Sequence, residues 1–289
     1  MASGIFAVLD DIAALMDDVA VASKIATKKT AGILGDDLAV NAEKATGFLS
    51  TRELPVLWAI TKGSFINKII IIPIAILLNI FFPVAINVIL ILGGCYLAYE
   101  GVEKIVEYLF DKKDNVQHES KEVLLNDIAM ENTKIKSAVT TDFILSVEII
   151  ILALNSVSKS PLNIQIPTVT IVALIATVGV YGVVALIVRM DDVGYKLIHS
   201  AQDKGGLAQI GHMLVKGLPI VIKSLSVIGT IALLLVSGGI FVHNIDYFHH
   251  FLPTVPSIIK EFAIGTIAGI LILIVVTLFS KVIALRNKK

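Results

Sequence analysis

The chain has 289 residues, of which 56% are hydrophobic and only 17% charged, with a mean hydropathy of +0.86 and a formal net charge of zero. A soluble domain carries roughly 25% charged residues, so this chain lacks the polar surface that a water-soluble fold of its size requires. The neutral balance removes any bulk electrostatic case for nucleic acid, and the single Cys95 excludes an intrachain disulfide and a cysteine-built zinc site.

The class expected is all-α, a polytopic transmembrane helix bundle of about six spans. To this the sequence adds an N-terminal interfacial or re-entrant helix and a parallel internal repeat.

Residues 1–56 are the most polar large block and read as a cytoplasmic or interfacial acidic segment. Asp10/Asp11 and Asp17/Asp18 sit seven residues apart, which places them near one stripe of a helix. Ile5, Val8, Leu9, Ile12, Leu15, Met16 and Val19 fill the other face. Such a run is too short and too acidic to span alone. No Lys or Arg precedes it, so it does not read as a cleavable signal peptide. The stretch from Thr27 to Asp37, with Gly32, Gly35 and a third acid pair at Asp36/Asp37, reads as a loop, and Arg52-Glu53-Leu54-Pro55 as a helix start.

From Ile69 to Tyr99 no charged residue occurs for 31 positions. One straight helix of that length would extend about 46 Å against a hydrocarbon core of about 30 Å. Pro83 lies near the middle, so residues 57–110 read as a helical hairpin with limbs 57–82 and 83–110. Residues 111–137 read as a basic cytoplasmic loop, and 138–289 as a four-span region with apolar runs near 138–156, 168–188, 218–241 and 258–280. Lysines and arginines gather in 111–137, in 189–216 and at the C-terminal tail, whereas the opposite loops hold only Lys159 and Lys260. The positive-inside rule then predicts both termini in the cytoplasm.

The repeat rests on an echo. Leu15-Met16-Asp17-Asp18-Val19 reappears as Arg189-Met190-Asp191-Asp192-Val193, and Lys62-Gly63 before one span has a counterpart in Lys216-Gly217 before another. On the predicted topology both acid pairs face the cytoplasm.

Within the spans, Asp142 lies near one end of 138–156 and Glu148 sits six residues deeper with no adjacent lysine. An acid at mid-helix costs about 2.5–3.5 kcal/mol on insertion scales, so it should face the bundle, take a proton or meet a cation. The reading is either an interhelical hydrogen bond or an ion or solute site, with Asn79, Asn87 and Asn155 as polar neighbours or helix glue. Glu148, Asp142, Asp10, Asp11, Asp17, Asp18, Asp191 and Asp192 are the candidate pathway residues. Glu100, Glu103, Lys104 and Glu107 have the spacing of an exposed face with a Glu100–Lys104 pair.

Paired aspartates also suit a hard divalent cation, although adjacent aspartates on a helix diverge. Asp36 and Asp37, with His243, His249 and His250 of the 243–250 loop, are the weakest candidates for a metal. That loop reads first as an aromatic interface belt with incidental histidines, and only then as a metal or proton-sensing site. No cofactor is identified.

The stretch Leu9–Ala20, together with Lys28-Lys29-Thr30-Ala31-Gly32, Gly35-Asp36-Asp37-Leu38-Ala39, Arg52-Glu53-Leu54-Pro55-Val56, Asn67-Lys68 and Tyr99-Glu100-Gly101-Val102-Glu103-Lys104, resembles the YedI/MutK-type family of bacterial inner-membrane proteins. The resemblance covers essentially the whole chain. It implies a bacterial inner-membrane location and carries over no catalytic residues.

The function expected is transport or channel-like passage of an ion or small solute. The alternative is a non-transporting scaffold that binds lipid or a partner. Beyond the lipid bilayer the partners expected are a homo-oligomer at most, and no nucleic acid. No zinc-protease, nucleophile-elbow or P-loop pattern points to an enzyme.

Overall fold

A computed structural model describes residues 2–46, 50–110, 123–245, 247 and 255–286. The described residues form helices and no strands: α1 (Ala2–Ala45), α2 (Ser50–Phe81), α3 (Pro83–Phe110), α4 (Val123–Ser156), α5 (Leu162–Val188), α6 (Met190–Ser200), α7 (Gly205–Asn244) and α8 (Ser257–Arg286). Six of them, α2 to α5, α7 and α8, are long and apolar enough to cross a membrane. Helices are the solution the composition demands, because in lipid each backbone N–H and C=O must be satisfied within its own segment.

The hairpin breaks where the sequence predicts. α2 ends at Phe81 and α3 opens on Pro83, whose missing N–H costs nothing at a helix start. Two directions are therefore useful: a Pro83 end of the bundle, and a Lys44 end at which α1 finishes and α2 begins.

α1 differs most from expectation. Residues 27–37 form no loop, because one helix runs unbroken through both glycines for 44 residues. Each helical glycine costs about 1 kcal/mol relative to alanine. The buried faces of Ala26, Ala39, Val40, Ala42 and Ala45 offset that cost. Val19, Ser23, Ala26, Thr30, Asp37, Asn41 and Ala45 are all buried and recur at helical spacing, forming one small or polar stripe. That stripe lodges α1 among α4, α5 and α7. Residues 19–45 thus run through the bundle interior.

The direction of α1 follows from its contacts at either end. Lys44 meets Glu100 and Ser137 at one end, while Lys29 lines a cavity beside Pro83 at the other. Asp18 lies eleven residues beyond Lys29, or about 16 Å along a helix. The acid pairs at 10–11 and 17–18 therefore extend past the Pro83 end. Asp191, by contrast, lies close enough to Glu53 to repel it, at the Lys44 end. The two Met-Asp-Asp-Val stretches occupy opposite ends, and Phe6, Leu9, Ile12 and Met16 are exposed. The proposed repeat finds no support in this arrangement. Ala2 leads toward the Pro83 end of the bundle and Arg286 toward the Lys44 end.

The stretch expected to be loop at 111–137 is helical from Val123 onward, and 189–216 contains α6 and the start of α7. The turn between α6 and α7 uses left-handed backbone at Gln202, Asp203 and Gly205 (φ 48°, 56° and 80°).

α7 and α8 approach closely because Gly238 faces the main chain of α8. A Cβ added there would strike the Glu261 carbonyl oxygen. At Gly35 a Cβ would meet nothing within 4 Å. Gly238→Ala should therefore lower stability by about 1–3 kcal/mol, while Gly35→Ala raises it by up to about 1 kcal/mol. Thermal unfolding in detergent should move in opposite directions for the two variants.

Candidate functional site

Three polar clusters follow one another along the line where α1 meets α4. Their order is set by helical spacing. Asp37, Asn41 and Lys44 share one face of α1, while Ser137, Thr141, Asp142, Ser146 and Glu148 descend α4 from the Lys44 end toward the Pro83 end.

The first cluster surrounds Lys44. Its ammonium pairs with Glu100 and donates to Ser137 Oγ at 2.9 Å and Thr141 Oγ1 at 2.6 Å. Thr141 in turn donates to Glu100 Oε2 at 2.8 Å. Nearby, Lys104 pairs with Glu43 at 2.5 Å, and Tyr99 donates to Glu103 at 2.5 Å. Glu100 is buried, so the exposed Glu100–Lys104 pair expected from spacing is replaced by two pairs that both reach α1. These groups line a cavity of about 520 Å³.

The second cluster is the most deeply buried. Lys68 on α2 and Asp142 on α4 are 4% and 1% exposed and lie 3.7 Å apart. Lys68 donates to Ser64 Oγ and Ser146 Oγ, both at 2.8 Å. The Asp142 carboxylate accepts from Ser64 at 2.9 Å, from Asn67 at 3.3 Å and from Ser146 at 3.4 Å. The Tyr181 hydroxyl of α5 lies 2.9 Å from Asp142 Oδ1 and 3.0 Å from Asn41 Oδ1. The Asn41 amide donates to Asp37 Oδ1 at 2.6 Å. A continuous chain of polar groups thus joins Lys68 to Asp37 across four helices. Both charges have partners with their remaining hydrogen-bonding capacity largely used, the condition under which a buried pair is tolerated.

The third cluster is unlike the others. Glu148 lines a cavity of about 810 Å³ together with Asp36 of α1 and Glu261 of α8. Asp36, Asp37 and Glu261 are near enough to repel its charge. Its Oε2 is buried and has no hydrogen-bond partner among the described residues. Asn79, Asn87, Asn155 and Asn244 supply amides, and Lys29 is the one lysine among the described lining residues. The cavity opens toward the Pro83 end, where Asn87, Asn155 and His243 are exposed.

The structure therefore brings Glu148 and Asp36 together, and sets Asp142 and Asp37 in the adjoining cluster. Asp10, Asp11, Asp17 and Asp18 are exposed on the outlying half of α1 and join neither. Asp191 and Asp192 open α6, where acids suit the helix N-terminus. Asp192 pairs there with Arg189, and Asp191 Oδ1 accepts the Asp192 N–H at 2.8 Å. His243 lines the Glu148 cavity, while His249 and His250 lie outside the described residues. Among the described residues no group of three or more His, Cys, Asp or Glu is arranged to hold a metal ion.

Lys44, Tyr181, Asn41 and Glu261 were not singled out by the sequence, nor was Lys68 as a site residue. Lys68 did carry a signal, since it lies eleven residues inside a predicted span that begins at Leu57. Glu261 likewise sits just within the run that begins near 258.

A family model described as a protein of unknown function, DUF808, matches residues 3–286. The chain belongs to the DUF808 family. No curated protein matches it. No solved structure does either.

Removing one partner from the second cluster should leave an uncompensated charge in the bundle. Lys68→Met should cost about 3–5 kcal/mol, and adding Asp142→Asn in the same chain should recover much of that loss. The check is a double-mutant cycle on thermal unfolding midpoints in detergent.

Proposed function

We propose that this DUF808 protein is a transporter or channel-like protein that moves a small cationic solute or ion across a bacterial inner membrane. The carrying observation is Glu148: a carboxylate on the wall of a large cavity inside a membrane-type bundle, faced by Asp36 and Glu261, with a buried oxygen that no donor among the described residues reaches. An ionisable residue at membrane depth that lacks a protein partner is by default a site for a proton or a passing cation. The asparagines around it can replace part of a hydration shell.

The paired clusters suit the inner half of such a path. Lys68–Asp142 and Lys44–Glu100 have no unpaired charge to offer a solute, so they form a seal whose opening requires exchange of partners. The resemblance to YedI/MutK-type proteins accords with the membrane assigned. The basic residues of the Lys44 end, among them Arg52, Lys134 and Lys136, support a cytoplasmic position for that end. No enzymatic chemistry is part of this reading.

A second reading has its own observation. The outlying half of α1 exposes Phe6, Val8, Leu9, Ile12 and Met16, an apolar face that suits a scaffold binding lipid or another protein.

Reconstitution separates the two. In proteoliposomes the wild-type protein should pass cations above the empty-vesicle background, and Glu148→Gln should cut that flux by at least about tenfold while elution and unfolding stay near wild type. A protein that passes nothing, or a flux indifferent to Glu148→Gln, removes the transport reading.

A further inference from the structure

We infer that the Glu148 cavity binds an aliphatic diamine or oligoamine, with its ammonium groups on the carboxylates of Asp36, Glu148 and Glu261 and its methylenes on the apolar walls; this deepens the transport reading and rests on it for its physiological meaning.

The volume comes first. About 810 Å³ falls within the range of small-molecule sites, whereas a bare metal ion needs several oxygens closing on it at about 2.0–2.6 Å. No set of three or more ligating side chains is so arranged among the described residues. The cavity is built for something larger than an ion.

Charge comes next. Three carboxylates, one each from α1, α4 and α8, face one lysine, Lys29, among the described lining residues. With all three ionised, that leaves a surplus of two negative charges on one wall, the complement of a dication. Glu148 states the requirement most directly, since its buried Oε2 receives no hydrogen bond from the described residues. A carboxylate taken out of water needs a proton or a cation.

The form of the cation follows from the rest of the wall. Quaternary ammonium groups are recognised by aromatic faces, and no Phe, Tyr or Trp is among the described lining residues. Primary ammonium groups have three N–H donors, and the wall offers carboxylates together with the amide oxygens of Asn79, Asn87, Asn155 and Asn244 as acceptors. Between these polar points lie Ile33, Ile86, Leu90, Ile151, Leu152 and Ile240, which suit an alkyl chain and repel a hydrated inorganic ion. Polar ends joined by an apolar middle describe an α,ω-diamine.

The test is calorimetric titration of the full chain in nanodiscs of neutral lipid, with diaminopentane bearing its amines at the two ends as probe. Saturable binding is expected. Pentylamine, with one ammonium, should bind at least about tenfold more weakly, as should diaminopentane to Asp36→Asn or Glu148→Gln, since each change removes one charge-assisted contact. Tetramethylammonium should not compete. If Glu148→Gln fails to fold, Asp36→Asn and Glu261→Gln carry the comparison, with unchanged elution as the control. The inference is overturned if the wild type shows no saturable binding, if pentylamine binds as well, or if neither carboxylate variant weakens the diamine. Binding without flux in proteoliposomes would keep this site and remove transport. A Glu148-dependent flux of another cation without diamine binding would do the reverse.

Discussion

A lysine and an aspartate within a bilayer must find each other or destabilise the fold that holds them. Lys68 and Asp142 do so here, and much of the architecture follows from the surroundings that this pair requires. Two oppositely charged groups in a medium of low dielectric attract strongly, but each has been stripped of water, and only additional hydrogen bonds make the exchange tolerable. Ser64, Ser146, Asn67 and Tyr181 supply those bonds from three helices, and Tyr181 reaches on to α1 through Asn41. α1 is thus held in the bundle by polar groups as well as by its alanines.

The same principle divides the interior into two regimes. Toward the Lys44 end the buried cations among the described residues, Lys68 and Lys44, are paired, and Lys44 spends its donors on Glu100, Ser137 and Thr141. Toward the Pro83 end carboxylates outnumber cations and a cavity replaces close packing. Only about two helical turns of α4 separate Asp142 from Glu148. A bundle with a satisfied half and an unsatisfied half is polarised along its axis, which is what directional passage of a charged solute would need.

The sequence was most informative where lipid is the solvent. The six helices apolar enough to span, the break at Pro83 and the presence of Asp142 and Glu148 within one of them all follow from hydropathy, which acts locally. It failed at α1 for the same reason. Asp36, Asp37 and Lys44 look incompatible with a buried helix when the surroundings are taken to be either water or lipid. They become compatible when the surroundings are protein, and that depends on residues as far away as Tyr181, 140 positions along the chain from Asn41. Glu100 misled in a related way. Its i,i+4 neighbour Lys104 offers a local partner, but Lys44, 56 positions away, competes from inside the bundle and wins. Glu261 was legible in principle as an acid just inside an apolar run, yet its meaning comes only from the meeting of α8 with α1 and α4.

The position of α1 bears on how the protein is made. It precedes α4, α5 and α7, the helices that enclose it, in the chain and so leaves the ribosome before them. Carrying Asp36, Asp37, Lys28, Lys29 and Lys44, it is a poor candidate for insertion by itself, since each such residue costs about 2.5–3.5 kcal/mol at the centre of a lone helix. Its burial must therefore await the arrival of its partners. For this helix assembly runs against chain order, since its surroundings are completed only by helices synthesised after it.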